Sequence, residues 1–100
     1  MKTFAIEYYR ERFIGWEAVV NAWGLEINTA KSRARELSGM FEKDVRDGMN
    51  ARFVIHELDS DGNIIETVLD EDTDEYQVSR FGDIVHIRTA DIGRAAEKAL

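Results

Sequence analysis

Nine acidic residues and no basic one lie between Glu57 and Glu75, and carboxylates gathered in turns are what a calcium loop uses. An EF-hand loop needs acids at positions 1, 3 and 5, glycine at 6 and glutamate at 12. Counted from Asp59, the glycine falls at position 4 and Ile64 takes position 6; counted from Asp70, position 6 is Glu75 and position 12 is Phe81. Both registers fail, so no calcium site is expected. His56 and His86 are the two imidazoles. Each falls mid-strand with no second ligand at zinc spacing, and Glu57 beside His56 would point to the opposite face. The chain has no cysteine, which removes a thiolate nucleophile, a Cys-ligated zinc and any disulfide. Ser32, Ser38, Ser60 and Ser79 sit in no G-x-S-x-G elbow, and neither phosphate-binding glycine pattern occurs. The residues therefore predict no catalytic centre, no metal and no cofactor.

The aromatic residues carry more information. Six of the ten precede residue 25: Phe4, Tyr8, Tyr9, Phe13, Trp16 and Trp23. In a strand Tyr8 and Tyr9 must face opposite ways, and so must Trp16 and Trp23, which are seven residues apart. Some large aromatic surface is then exposed beside the segment Arg10-Glu11-Arg12-Phe13-Ile14. Exposed Tyr, Trp and Arg are the residues of interface hot spots. A second candidate surface is basic: Lys31, Arg33 and Arg35, then Lys43 and Arg46, on a helix that could track phosphates.

The elements that must position these groups follow from periodicity. Thr3 to Arg10 alternates, with Phe4, Ile6 and Tyr8 on one face, and reads as a strand. Arg10 to Gly15 reads as the hairpin connection and Trp16 to Ala22 as its second strand. Phe13, Trp16, Val20 and Trp23 also fit a helical stripe stopped by Gly24. The strand is preferred because paired valines and two tryptophans suit a sheet. Ile27, Ala30, Ala34, Leu37 and Phe41 make one apolar face of a helix over 26–46 that Gly48 ends. Ala51 to Leu58 and Ile64 to Leu69 are strands around the turn Asp59-Ser60-Asp61-Gly62-Asn63. Asp70 to Glu75 reads as a solvated loop. Tyr76 to Arg80 and Ile84 to Arg88 form another hairpin, and a short helix, Asp91 to Ala99, closes the chain. The order ββαββββα with hairpin connections predicts a single α+β domain over residues 1–100, an antiparallel sheet with the main helix on one face. The expected core is Ile27, Ala30, Ala34, Leu37 and Phe41 with Phe4, Ile6, Phe53, Ile55, Val85 and Ile87.

Length and charge narrow the function. One hundred residues with 44% hydrophobic and 33% charged suit one globular domain, too small for a deep substrate pocket beside its core. No apolar run approaches a membrane span or a signal-peptide core, and the lack of cysteine fits a reducing, cytoplasmic setting. Net charge is −7 and uneven. Residues 1–54 carry 9 Lys/Arg and 8 Asp/Glu, a balance of +1, while residues 55–100 carry 4 and 12, a balance of −8. Such a chain repels nucleic acid unless a local basic patch prevails.

The segments FAIEYY, WEAVV, INTAKSRAREL and FVIHELDSDGNII, an aromatic hairpin, an Ala-rich helix and a D-x-D-G hairpin across roughly residues 3–69, resemble small phage and mobile-element proteins. In size and charge the chain is most similar to the anti-CRISPR inhibitors. That resemblance implies a stoichiometric binder of a CRISPR interference complex in a bacterial host cell and supplies no catalytic residue. The residues agree with it in one respect: a groove built for phosphates is basic, and carboxylates compete for it. Asp59, Asp61, Asp70, Asp72, Asp74 and Glu75, all expected in turns, would steer the encounter, with Tyr9, Arg10, Arg12, Phe13 and Trp23 as the contact residues. The alternatives are a small nucleic-acid-binding protein that uses the basic helix, and a homo-oligomeric structural protein whose aromatic hairpin buries against itself.

Overall fold

Strict alternation of apolar residues makes β1, Thr3–Arg12, a strand that buries Phe4, Ile6 and Tyr8 on one side. A computed structural model describes residues 2–86, with the side chains of 2–85. After β1 come β2 (Gly15–Leu25), α1 (Ile27–Asp47), β3 (Ala51–Leu58), β4 (Ile64–Asp72), a 3-10 turn at Thr73–Glu75, β5 (Tyr76–Val78) and β6 (Ile84–His86). The first four strands form one antiparallel sheet in the order β2-β1-β3-β4. The expected α+β order is therefore present as far as β6. The closing helix Asp91–Ala99, and Ile87 of the expected core, lie outside the described residues. The expected single sheet is corrected: among the described residues β5 and β6 pair with each other as a separate two-stranded sheet.

The helix α1 covers one face of the four-stranded sheet. Ala30, Ala34, Leu37 and Phe41 are buried against Phe4, Ile6, Tyr8, Ala51, Phe53, Ile55 and Leu69. Phe41 sits between Phe53, at 6.5 Å, and Tyr76, at 5.0 Å edge-on, so the same ring ties both sheets to the helix. Ile27 is exposed, because it opens the helix beyond the sheet, and Val85 is only half-buried. Gly39 does not interrupt the helix, whereas Gly48, at φ 70°, takes the left-handed conformation and ends it.

Two turns share one construction. Asp59 Oδ1 accepts from the backbone N–H of Asp61 and Asn63, and Ser79 Oγ accepts from that of Phe81 and Asp83. In each, a glycine at positive φ, Gly62 or Gly82, lets the chain reverse.

The segment 70–75 is not a loop. Asp70 to Asp72 continue β4, and Thr73 anchors the 3-10 turn to the start of β3. Its hydroxyl donates to the Met49 carbonyl at 2.8 Å and accepts the Ala51 N–H at 2.9 Å.

Candidate interaction surface

The sheet face away from α1 carries no helix among the described residues. Strand alternation places Tyr9 of β1, Arg52, Val54 and His56 of β3, and Thr67, Asp70 and Asp72 of β4 on it. Ala5 and Val54 on this face are buried.

Trp16 and Trp23 both belong to this face, contrary to the expectation of opposite faces. Tyr8 pairs with Val20 but Tyr9 pairs with Ala18, so Val19 is an extra residue in β2. One extra residue reverses the alternation. Trp16, opposite Glu11, then shares a side with Trp23, which stands with Gly24 opposite Ala5. The Trp23 ring lies 6.3 Å from His56 and its Nε1 donates to the Gly62 carbonyl at 3.2 Å. The indole therefore reaches from β2 across β1 to β3 and the β3–β4 turn. His56 is held on its other sides by Thr67, 2.9 Å from Nδ1, and Glu7, 3.4 Å from Nε2.

At the opposite end of the face, Tyr9, Trp16, Arg52 and Asp72 line a shallow cleft of about 380 Å³. A second cleft of about 220 Å³ shares Trp16 and Asp72 and adds Glu11, Asn50, Ala51, Thr73 and Asp74. The Arg52 Nε and one terminal nitrogen donate to the two Asp70 oxygens at 2.8 and 2.7 Å. The Asp72 carboxyl is held above its ordinary range, first by burial and then by Asp74, with Asp70 and Glu75 adding to it and Arg52 opposing. Beyond the clefts, the tip residues Phe13 and Ile14 project fully into solvent, at 110% and 101% exposure.

No protein-family model, curated protein or solved structure matches this chain. Among the described residues no group of three or more His, Asp or Glu side chains could hold a metal ion, and no helix is long and apolar enough to cross a membrane.

The structure brings some of the candidate residues together and separates others. Tyr9, Arg12, Phe13, Asp72 and Asp74 gather at the β1–β2 tip end, with Glu75 half-buried in the 3-10 turn. Arg12 approaches Glu17 at 3.4 Å. Trp23, Asp59 and Asp61 lie at the other end of the sheet, eight residues of β4 away, or roughly 25 Å. The acids are thus two clusters rather than one array. Arg10 is not at the tip: its guanidinium grips the buried Asp44 on the helix side at 3.0 and 3.1 Å. Asp59 is engaged in its own turn, and that backbone hydrogen bonding, from Asn63 first, lowers its pKa. Asp70 is paired with Arg52. Sequence reasoning left Trp16, Ile14, Glu11 and Arg52 out of the site. The cross-strand spacing of Arg52 and Asp70 could have marked that pair, but a bulge at Val19 leaves no sign in the sequence.

Proposed function

We propose that the protein is a non-catalytic docking protein that recognises a basic protein surface with the end of the sheet where the β1–β2 tip, Tyr9, Trp16 and the Asp72–Asp74 acids meet. The observation that carries this reading is the complete exposure of Phe13 and Ile14 next to that aromatic and acidic surface. Two adjacent apolar side chains held wholly in water on a tight turn contribute nothing to the fold, and they have the form of an anchor. The acids supply association rate and selectivity, and the buried apolar anchors supply residence time. The partner class is a phosphate-binding groove of a host nucleic-acid-processing complex; the resemblance to anti-CRISPR inhibitors names a CRISPR interference complex within that class.

The test is affinity capture from bacterial lysate with wild type and two variants, Phe13→Ser with Ile14→Ser, and Asp72→Asn with Asp74→Asn, followed by binding kinetics on the captured species. The tip variant should lose capture. The acid variant should keep it at low salt with a slower association rate and a flatter salt dependence. Capture unchanged by the tip variant would refute the reading.

A second reading rests on Lys31, Arg33, Arg35, Lys43 and Arg46, which are all exposed on the outer side of α1. It places nucleic acid on the helix, opposite the sheet face that carries Tyr9 and Trp16. Anisotropy titration with random DNA and RNA at low salt separates the two. Tight binding abolished by Arg33→Glu with Arg35→Glu would favour the helix.

A further inference from the structure

We propose that the cleft between Tyr9 and Trp16 is a receptor for an arginine side chain of the partner, with the two rings as walls and the Asp72 carboxylate as counter-ion. The proposal deepens the docking reading and rests on it for the source of the arginine.

The lining decides the ligand chemistry. Tyr9, Trp16, Arg52 and Asp72 surround about 380 Å³ of open cleft, at the small end of ligand-site volumes and suited to one side chain. Aromatic faces beside a carboxylate attract a cation. A planar guanidinium can stack on the indole and present paired N–H donors to the carboxylate, which an ammonium cannot do.

The charge balance points the same way. Arg52, the one cation of the lining among the described residues, has Nε and one terminal nitrogen on Asp70 at 2.8 and 2.7 Å, and its charge also favours ionised Asp72. Asp72 also lines the adjoining cleft, which shares Trp16 and adds the carboxylates of Glu11 and Asp74. An anion would meet this carboxylate cluster. A cation would offset the burial, and the repulsion from Asp74, Asp70 and Glu75, that raise the Asp72 pKa against the opposing charge of Arg52. The construction is also held in place: Thr73, next to Asp72, is buried and bonded to both Met49 and Ala51.

The two tryptophans give the experiment an internal control, since Trp23 is occupied at the far end with His56 and Gly62. On ¹⁵N-labelled protein, the probe N-acetyl-arginine methylamide should produce a saturable shift of the Trp16 indole signal and leave that of Trp23 in place, with millimolar affinity. The lysine analogue should bind several-fold more weakly, and the uncharged citrulline analogue should produce no saturable shift. The near-isosteric Asp72→Asn, read on the Trp16 indole, and Trp16→Ala, read on the Tyr9 and Asp72 backbone amides, should each weaken arginine binding by about tenfold or more, with the amide signals away from the cleft reporting an intact fold. Lowering the pH should weaken binding as Asp72 takes up its proton; the other charged groups around the two clefts are Glu11, Arg52, Asp70, Asp74 and Glu75. Equal binding of citrulline, or no saturable Trp16 shift with arginine, would overturn the arginine receptor while leaving tip-dependent capture untouched. Loss of capture dependence on Phe13 and Ile14, with the arginine shift intact, would overturn the docking reading alone.

Discussion

The Tyr8 hydroxyl donates to Asp44 Oδ2 at 2.7 Å in the interior, and Arg10 completes the site with two further bonds to the same carboxylate. This joins the middle of β1 to the last turn of α1. A carboxylate that is 3% exposed is tolerable only with such partners.

Removing Asp44 should therefore be costly. Asp44→Ala leaves a buried hydroxyl and a half-buried guanidinium without their acceptor, and the expected loss is about 3–5 kcal/mol. Tyr8→Phe, which leaves Arg10 on Asp44, should cost less, about 1–3 kcal/mol. Urea denaturation of both variants decides this; a loss below about 1 kcal/mol for Asp44→Ala would mean the triad adds little. Burial first, and then the bond to Asp44, push the Tyr8 phenol well above its ordinary 10.0. The folded pKa exceeds the unfolded one, so the protonated phenol favours the fold, and stability should fall as pH rises above 10. In Tyr8→Phe that part of the alkaline loss should be missing.

Thr73 predicts a different effect. Thr73→Val keeps the shape but removes an acceptor from the Ala51 N–H and a donor to the Met49 carbonyl. The expected cost is about 1–3 kcal/mol. The variant should also weaken arginine binding, because the 3-10 turn that holds Asp72 and Asp74 loses its tie to β3. Calorimetric melting gives the first quantity and the Trp16 indole titration the second. An unchanged melting temperature would remove Thr73 as the anchor.

Asp72 should behave in the opposite sense to most surface carboxylates. Its folded pKa is raised above the 3.8 of an unperturbed aspartate, so ionisation is easier in the unfolded chain. The folded state carries a penalty above the folded pKa and loses it as the pH falls through that value. Asp72→Asn should raise the melting temperature at pH 7, and the advantage should shrink toward about pH 4 and below. Equal melting temperatures at both pH values would show that Asp72 titrates as an ordinary carboxylate.

The tip and the core should separate stability from binding. Phe13→Ser is expected to change stability by no more than about 0.5 kcal/mol while weakening partner binding by about 2 kcal/mol or more. Leu37→Ala should do the reverse, costing about 2–5 kcal/mol of stability. Leu37 is 3% exposed on the helix side of the sheet. Paired denaturation and binding measurements check both; a destabilised Phe13→Ser would make the tip part of the fold.

The sequence by itself determined the elements whose signals are local. Period-two alternation in Thr3–Arg10, the apolar stripe Ala30-Ala34-Leu37-Phe41 and the glycine turns at Gly48 and Gly62 are short-range patterns, and each element stands where its pattern lies. Tertiary structure decided what depends on pairing between distant segments. The bulge at Val19 exists only in the register of β2 on β1, and it alone puts Trp16 and Trp23 on one face. The acids between Glu57 and Glu75 read as one block, yet β4 is extended and carries them to opposite ends of the sheet. Arg10 and Asp70 read as free charges until Asp44 and Arg52 are placed beside them. Alternation is a property of one strand, but the face a residue finally occupies, and the charge left unmatched there, are set by its neighbours across the ladder.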